Sequence, residues 1–322
     1  MMRRIWIAMD PLLWIAVTPQ TKADQEKLGA GLQNLMTEDP SIGVRTDPFT
    51  GTTRIGGVGE HHLEIIVHRL AREFGVHASV GRPEIAYKET VTRAADGEKK
   101  VAGIIRGRSE YAHVKIHLFP AERDSGYIFE NAIVGGAIPE RFIASIDEGI
   151  RGALAYGVLG GYPVVDLRAE LYDGSYHDVD SSELAFQMAG SLALQNAARQ
   201  ARPTLLEPVM ALEVRVPRVS AGPVSDDLRR RRARITRQEV HDDVMILYAR
   251  AALAEMFGFA SDLDSKTAGH ASFEMHLDTY EAVRDRGDAG PDALEVPAIP
   301  RRPFPSLGSL RAALPEPSTD EP

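Results

Sequence analysis

The sequence contains no cysteine in its 322 residues, which excludes disulfide bonds, thiolate catalysis and cysteine-ligated zinc. It also has no run approaching the ~18 consecutive apolar residues that a membrane-spanning helix needs. The apolar residues 5–9 are followed by Asp10 and Pro11 and by no small-residue cleavage site, which indicates an ordinary strand or frayed start and not a signal peptide. Together these absences fit a cytoplasmic protein.

The chain has no excess of positive charge. Its net charge is −9 and its pI about 5.6, which argues against a general nucleic-acid coat but leaves room for local basic contacts. A hydrophobic fraction of 43% is ordinary for a globular protein. The length predicts roughly two to three domains.

Residues 1–86 follow the order strand–helix–strand–strand–helix–strand. Thr21 and Asp24 are spaced as an N-cap and its N3 partner. A second apolar-periodic helix over residues 59–74 stops at Gly75. This order predicts a ferredoxin-like domain.

Residues 87–204 follow a different pattern, with strands near 87–93, 112–119 and 128–133 and a helix that begins at Pro139. An alternating strand over 164–171 then leads into residues 174–183, with His177 near the apex. Asp180 and Glu183 are spaced as a capping box for the helix that follows. The segment is therefore predicted to be a strand–loop–helix corner.

Residues 205–284 repeat the element order of residues 1–86 and predict a second ferredoxin-like domain. From residue 285 to 322 the chain is rich in proline with little periodicity, which predicts disorder. The sequence-based fold class is α+β in three domains and a tail.

Several separate motifs resemble bacterial elongation factor G. TKADQEKL at residues 21–28, GVGEHHLEII at 57–66 and VGRPEIAYKE at 80–89 resemble its domain III and the segment that follows. LGGYPVVD at residues 159–166 and GSYHDVDSSELAF at 174–186 resemble domain IV. LLEPVM at 205–210, RRR at 229–231 and EMFGFA at 255–260 resemble domain V. Motifs of this number, in the right order, are far more specific than one short pattern.

The resemblance implies ferredoxin-like domains III and V around a ribosomal-S5-like domain IV with a left-handed βαβ crossover. It also implies a role in translocation, in which the tip of domain IV contacts the messenger and transfer RNAs in the decoding region of the small ribosomal subunit. Domain V would face the factor-binding site of the large subunit. The expected tip contacts are Ser175, Tyr176, His177, Asp178, Arg108, Tyr111 and His113.

The second tip segment, residues 106–113, departs from the glycine-rich GGRGQYGH that is usual in the family. Arg106, Ser109, Glu110 and Ala112 differ, while Arg108, Tyr111 and His113 match. Lost glycines are expected to strain any turn with positive φ. Glu110 is expected to place a negative charge where RNA would lie, so a plain loop with a basic pair is the alternative here.

Arg229, Arg230 and Arg231 begin the strongest basic cluster in the chain. Contact with ribosomal RNA phosphates and compensation of a helix dipole explain this cluster about equally well. Phe257 belongs to a helix that is expected to pack in the core, with RNA contact as a secondary hypothesis.

The phosphate-loop pattern GxxxxGK followed by Ser or Thr is absent from the sequence, and the nearest candidate, DSKT at 264–267, has no preceding glycine loop. The prediction is therefore a ribosome-binding chain without its own GTPase and without a cofactor, which would depend on a separate GTPase polypeptide for GTP and Mg²⁺. The alternatives are a ribosome-protection or regulatory factor that competes for the factor site, and a truncated relic.

A helical metal site at His61, His62, Glu64 and His68 is a weaker alternative, and with it a metal-dependent enzyme. The pattern is not HExxH, so a solvated helix face is the preferred interpretation. A metal site at His177, Asp178, Asp180 and Glu183 is also weak, since two of these residues are expected to cap a helix.

Overall fold

The computed structural model describes residues 10–46, 51–105 and 107–283. The strand predicted at residues 5–9 and the tail at 285–322 lie outside these ranges. The described residues form two compact units. The first comprises residues 10–86 and 208–279, and the second comprises residues 87–207 and 280–283.

The N-terminal part of the first unit is a five-stranded sheet with two helices. Its elements are β1 (Leu13–Pro19), α1 (Lys22–Glu38), β2 (Gly43–Thr46), β3 (Thr53–Gly57), α2 (Glu60–Arg72), β4 (Ala78–Val80) and the short β5 (Glu84–Ile85). The sheet order is β2-β3-β1-β4, its neighbours are antiparallel, and β5 pairs with β1. This is the predicted ferredoxin-like order. The predicted cap is confirmed, because the Thr21 hydroxyl accepts a hydrogen bond from the Asp24 N–H (3.1 Å).

The second unit is a mixed sheet covered on one face by two helices. Its elements are β6 (Lys88–Val91), β7 (Ala95–Ile105), β8 (Arg108–Pro120), β9 (Tyr127–Asn131), α3 (Ile143–Tyr156), β10 (Leu167–Ser175) and α4 (Glu183–Gln200). The main sheet has the order β7-β8-β10-β9. β9 and β10 are parallel neighbours connected through α3, and the handedness of that connection stays a prediction. The core lies between the sheet and the helices and includes Ile116, Ile146 and Phe186.

One glycine sets how closely α4 approaches this sheet. A Cβ built on Gly97 of β7 would lie 2.2 Å from the backbone carbonyl oxygen of Ala193 in α4. No other residue fits without moving the helix, because the obstacle is backbone.

The C-terminal part of the first unit repeats the ferredoxin-like order. Its elements are β11 (Pro203–Pro217), α5 (Ala221–Arg230), β12 (Arg234–His241), β13 (Val244–Ala252), α6 (Phe259–Thr267) and β14 (Ser272–Ala282). The sheet order is β12-β13-β11-β14. The start of β11, residues 203–206, belongs to the second unit, where it pairs with β6.

The α+β class is confirmed, but strand β7 was not predicted from the sequence. Asp96, Glu98 and Lys100 alternate with Gly97 and Val101, and the polar residues lie on the face opposite the helices. An edge strand with one charged face has little of the hydrophobic pattern by which strands are recognised.

Within the described ranges, none of the helices is long and apolar enough to cross a membrane.

Candidate nucleic-acid interface

The β10–α4 corner is fixed at its helical end by Ser182, the N-cap of α4. The Ser182 hydroxyl accepts a hydrogen bond from the Ala185 N–H (3.1 Å). The predicted capping box of Asp180 and Glu183 is wrong. The Asp180 carbonyl instead accepts from the Tyr111 N–H of β8 (2.7 Å), so the chain stays outside the helix for two more residues. Aspartate and serine are both good N-caps, and local spacing cannot choose between them.

Ser181 joins the corner to strand β8. Its hydroxyl accepts from the His177 N–H (2.9 Å) and donates to the Tyr111 carbonyl (2.7 Å). The Ser181 N–H also donates to the His177 carbonyl (3.1 Å). Residues 177–181 therefore form a closed loop that is attached to the sheet.

The His177 side chain is held at the apex while 55% of it remains exposed. Its Nδ1 lies 3.2 Å from the Asp180 backbone nitrogen and 3.2 Å from the Asp180 carboxylate. A neutral ring accepts from the N–H through Nδ1, and a protonated ring donates to the carboxylate. The Tyr111 ring lies 6.3 Å from the His177 ring, centroid to centroid.

The second tip segment is mainly strand and only partly loop. β8 already begins at Arg108, and Gly107 has a positive φ of 81°; Arg106 lies outside the described residues. Ser109, Glu110 and Ala112 have ordinary extended backbone, which every residue type adopts. The strain expected from the lost glycines is therefore absent at Ser109 and Ala112.

Glu110 does not present its charge to the tip surface. It is buried, and its carboxylate accepts a hydrogen bond from the Ser182 hydroxyl. The carboxylate thus lies beside the N-terminus of α4, where the helix dipole favours negative charge. The prediction that Glu110 faces RNA is therefore wrong. Its pairing with Ser182 could not be predicted from the sequence, because the two residues are 72 positions apart.

A chain of polar side chains connects the corner with the β7–β8 hairpin. The Tyr111 hydroxyl and the Ser175 hydroxyl are 2.9 Å apart, and Ser175 Oγ is 3.3 Å from His113 Nδ1. The other ring nitrogen of His113 is 2.7 Å from the Glu98 carboxylate on β7. Three predicted tip residues, Tyr111, His113 and Ser175, are therefore side by side and largely engaged with protein.

The remaining predicted tip residues are more accessible. Tyr176, Asp178 and Arg108 are exposed, and Val179 next to them is 83% exposed. The structure brings the two predicted segments together through Tyr111, with His177, Tyr176 and Asp178 on the solvent side. Sequence reasoning missed the roles of Ser181, Ser182 and Glu98; only the serine pair ahead of a helix gave a signal.

The arginine cluster at the end of α5 divides into two kinds of residue. Arg231 is 13% exposed, and its guanidinium donates to Asp227 (2.9 Å), to the carbonyls of Glu255 (2.8 Å) and Phe257 (3.0 Å), and to Asp262 (2.5 Å). These four bonds leave little of the Arg231 guanidinium to contact RNA, so that contact stays a prediction. The side chains of Arg229 and Arg230 are 64% and 70% exposed and can reach a phosphate. Phe257 is half-buried, and its carbonyl accepts a hydrogen bond from Arg231.

Asp227 is the buried carboxylate at the centre of this cluster. Burial by itself would raise its pKa, but hydrogen bonds from Arg231 and Lys266 outweigh burial and hold the pKa below the usual 3.8. A depressed folded-state pKa stabilises the fold above the unfolded-state pKa, and this stabilisation is lost as the pH falls through the folded value.

We therefore expect the stability difference between the wild type and Asp227→Asn to be constant between about pH 7 and 5. It should shrink below the usual value of 3.8. Urea unfolding at a series of pH values measures it. Asp226→Asn is the matched control, since that carboxylate is 69% exposed and its replacement should have little effect at any pH. A wild-type advantage over Asp227→Asn that grows on acidification would contradict this account.

The other predicted alternatives are placed as follows. His62 Nδ1 accepts from the Val58 N–H (3.1 Å), and its Nε2 is 3.1 Å from Asp39, so this ring is structural and not part of a solvated face. His61 is exposed. Across residues 10–46, 51–105 and 107–283, no three His, Asp or Glu side chains are grouped as metal ligands. Residues 264–267 end helix α6, whereas a phosphate loop precedes a helix.

Three family models match consecutive parts of the chain. Elongation Factor G, domain III, matches residues 9–82; Elongation factor G, domain IV, matches 83–202; and Elongation factor G C-terminus matches 204–287. None of the three is a GTPase domain. A crystal structure of a protein from Thermus thermophilus is similar, with a TM-score of 0.69 and 37% sequence identity. That match covers 85% of this chain and 41% of the other, so this chain spans less than half of that protein. The chain therefore belongs to the elongation factor G family, with that family's domains III, IV and C-terminal domain in their usual order.

Proposed function

We propose that this chain is a ribosome-binding part of an elongation factor G-like translation factor, with the β10–α4 corner as its RNA contact. The order of the three family domains supports the assignment to translation. The observation that carries the choice of site is the fixed but exposed ring of His177. A ring held by Asp180, on a backbone held by Ser181, offers a base or sugar edge a contact with little loss of side-chain entropy on binding.

The neighbouring side chains complete this surface. Tyr176 supplies a second exposed ring, and Arg108 supplies a cation for a phosphate. Asp178 lies next to His177 and shapes the loop, while Tyr111, His113 and Ser175 support the tip from below. In the C-terminal domain, Arg229 and Arg230 are the proposed contacts with the large subunit.

The proposed partners are the small-subunit decoding region, the transfer and messenger RNAs there, and the large-subunit factor site. With these partners, the proposed site of action is the cytoplasm. The proposal assigns no GTP hydrolysis to the chain itself. GTP-driven translocation would need a GTPase polypeptide that binds nucleotide and Mg²⁺.

Ribosome co-sedimentation at low salt tests the proposal. His177→Ala should weaken binding roughly fivefold or more, because loss of a base contact costs about 1 kcal/mol or more. His61→Ala is the control, since His61 is 85% exposed on the domain III helix and its removal should leave binding unchanged. GTP should not alter pelleting of the wild type.

A wild-type chain that stays in the supernatant would overturn ribosome binding and favour a relic. Equal pelleting of the wild type and His177→Ala would reject the corner as the contact. Displacement of an intact elongation factor by this chain would favour the competing ribosome-protection role.

A further inference from the structure

A groove of about 510 Å³ runs between helices α3 and α4 of the second unit. We call it the α3–α4 groove; its lining includes Gly152, Tyr156, Met188 and Leu192. Tyr156 is 69% exposed and Met188 37% exposed. Large apolar side chains are thus presented to solvent along a concave surface, which is typical of a site where another protein surface docks.

The shape of the groove is set by contacts at both of its ends. At Gly149 the two helices nearly touch, since a Cβ there would lie 2.0 Å from the Gln187 carbonyl oxygen. Helix α3 ends at Tyr156, and the buried Glu89 carboxylate accepts N–H bonds from the loop that follows, including that of Val158 (2.7 Å). Because the helices are fixed before a partner arrives, binding in the groove has to order little backbone.

A projecting ring and an open space lie one turn apart on α3. Tyr156 follows Gly152 by four residues, so both lie on the same side of the helix, and both line the groove. A Cβ built on Gly152 would meet no atom within 4 Å, so a side chain from another molecule can enter there. The groove therefore carries both halves of a contact, the ring and the space that receives it.

Two-fold symmetry allows these two halves to fit each other. In a symmetric dimer, a residue of one copy contacts a given position of the other copy, and the same contact recurs in the reverse direction. Two α3 helices that pack antiparallel across the groove can place each Tyr156 ring over Gly152 of the other copy. The midpoint of this arrangement falls at position 154, halfway between the two residues.

The charge of the groove also suits a second copy. Of its lining residues, Glu148 alone has a charged side chain and none is Lys or Arg, which disfavours a nucleic-acid partner. Glu148 precedes the midpoint by six positions, so the two Glu148 residues of an antiparallel pair lie about 18 Å apart along the helices. That separation exceeds the Debye length of about 8 Å at physiological salt. Two such grooves therefore meet without strong repulsion.

We propose that two copies of this chain associate through their α3–α4 grooves, with the α3 helices antiparallel and each Tyr156 over Gly152 of the other copy. Helix α3 has 14 residues and is about 21 Å long, and the two helices beside the groove are together about 20 Å wide. The contact therefore buries roughly 800 Å² in total, which is the size of a weak, transient interface. We expect dimers at protein concentrations on the order of tens of micromolar and above.

Sedimentation equilibrium of the full chain, without ribosomes, tests the proposal. Over about 5–500 μM the mean mass of the wild type should rise from 35.2 kDa toward twice that value. Tyr156→Ala should raise the dissociation constant at least about tenfold, because it removes the central aromatic contact. Ile128→Ala is the matched control, since Ile128 is an exposed apolar residue of β9 (41%) and its truncation should leave the mass curve unchanged.

A second substitution tests the pairing of ring and space. Gly152→Leu fills the space and should raise the dissociation constant by a similar factor, while α3 is retained because leucine favours a helix more than glycine does. An equimolar mixture of Tyr156→Ala and Gly152→Leu should associate more than either variant alone. In the mixed pair one contact is the original one, and at the other the new leucine occupies the space of the missing ring.

A wild type that stays monomeric over the whole concentration range would overturn the proposal. A mixture that associates no better than its two components would also overturn it, because association would then not depend on reciprocal contacts. A dimer that neither Tyr156→Ala nor Gly152→Leu weakens would place the interface elsewhere and reject the groove. None of these outcomes depends on ribosome binding, so the dimer and the proposed RNA contact are tested separately.

Discussion

Replacement of Glu89 by alanine should lower the free energy of unfolding of the second unit by about 4 kcal/mol. Glu89 is completely buried, and its carboxylate accepts four backbone N–H bonds from the loop after α3. The donors are Val158 (2.7 Å), Leu159 (2.9 Å), Gly160 (2.8 Å) and Tyr162 (3.1 Å). Removal of the acceptor leaves buried donors unpaired, at about 1–3 kcal/mol for each one that water cannot reach.

Urea unfolding of the full chain measures this effect, with Glu122→Ala as the control. Glu122 is an exposed glutamate of the same unit, so its substitution removes the same charge and should cost less than about 0.5 kcal/mol. Glu89→Gln should fall between the two, because its amide keeps one acceptor oxygen but turns an NH₂ group toward two N–H donors. A Glu89→Ala variant as stable as Glu122→Ala would show that the loop does not depend on this carboxylate.

The bonds between Glu89 and the loop after α3 were not predictable from the sequence, although both segments were recognised as family motifs. Both ends of the interaction, VGRPEIAYKE and LGGYPVVD, contributed to the family resemblance. Their contact joins residues about 70 positions apart. Spacing rules describe only neighbours in the chain.

N-cap residues in the sequence predicted the start of helix α1 correctly, but equally good N-cap residues misplaced the start of helix α4. Thr21 caps α1 as predicted, since its hydroxyl accepts from the Asp24 N–H. At the tip, Asp180 and Ser182 both had suitable side chains, and Ser182 became the cap because β8 binds the Asp180 carbonyl. The long-range pairing of strand and corner decided the outcome, as it did for the burial of Glu110.

The same limit applies to the basic cluster, where four adjacent arginines, residues 229–232, are alike in sequence. Replacement of Arg231 by methionine should destabilise the first unit by about 3–5 kcal/mol, since it removes the Nε donor that lies 2.9 Å from the buried Asp227 carboxylate. It also removes the donor to the Glu255 and Phe257 carbonyls. Arg231→Lys should recover only part of the loss, because an ammonium group cannot reproduce the planar fork that reaches all these acceptors.

Arg230→Met separates structure from binding in the same cluster. Arg230 is 70% exposed and 3.6 Å from Asp227, so its loss should change the urea midpoint little. If this face binds ribosomal RNA, Arg230→Met should weaken ribosome pelleting and reduce its salt dependence by about one phosphate contact. Arg231→Met should retain that phosphate contact when its pelleting is measured under conditions in which the variant is still folded. Equal destabilisation by the two substitutions would contradict the assignment of Arg231 as structural, since exposure and partners differ so strongly between them. A pelleting defect confined to Arg231→Met would instead return the RNA contact to the buried guanidinium.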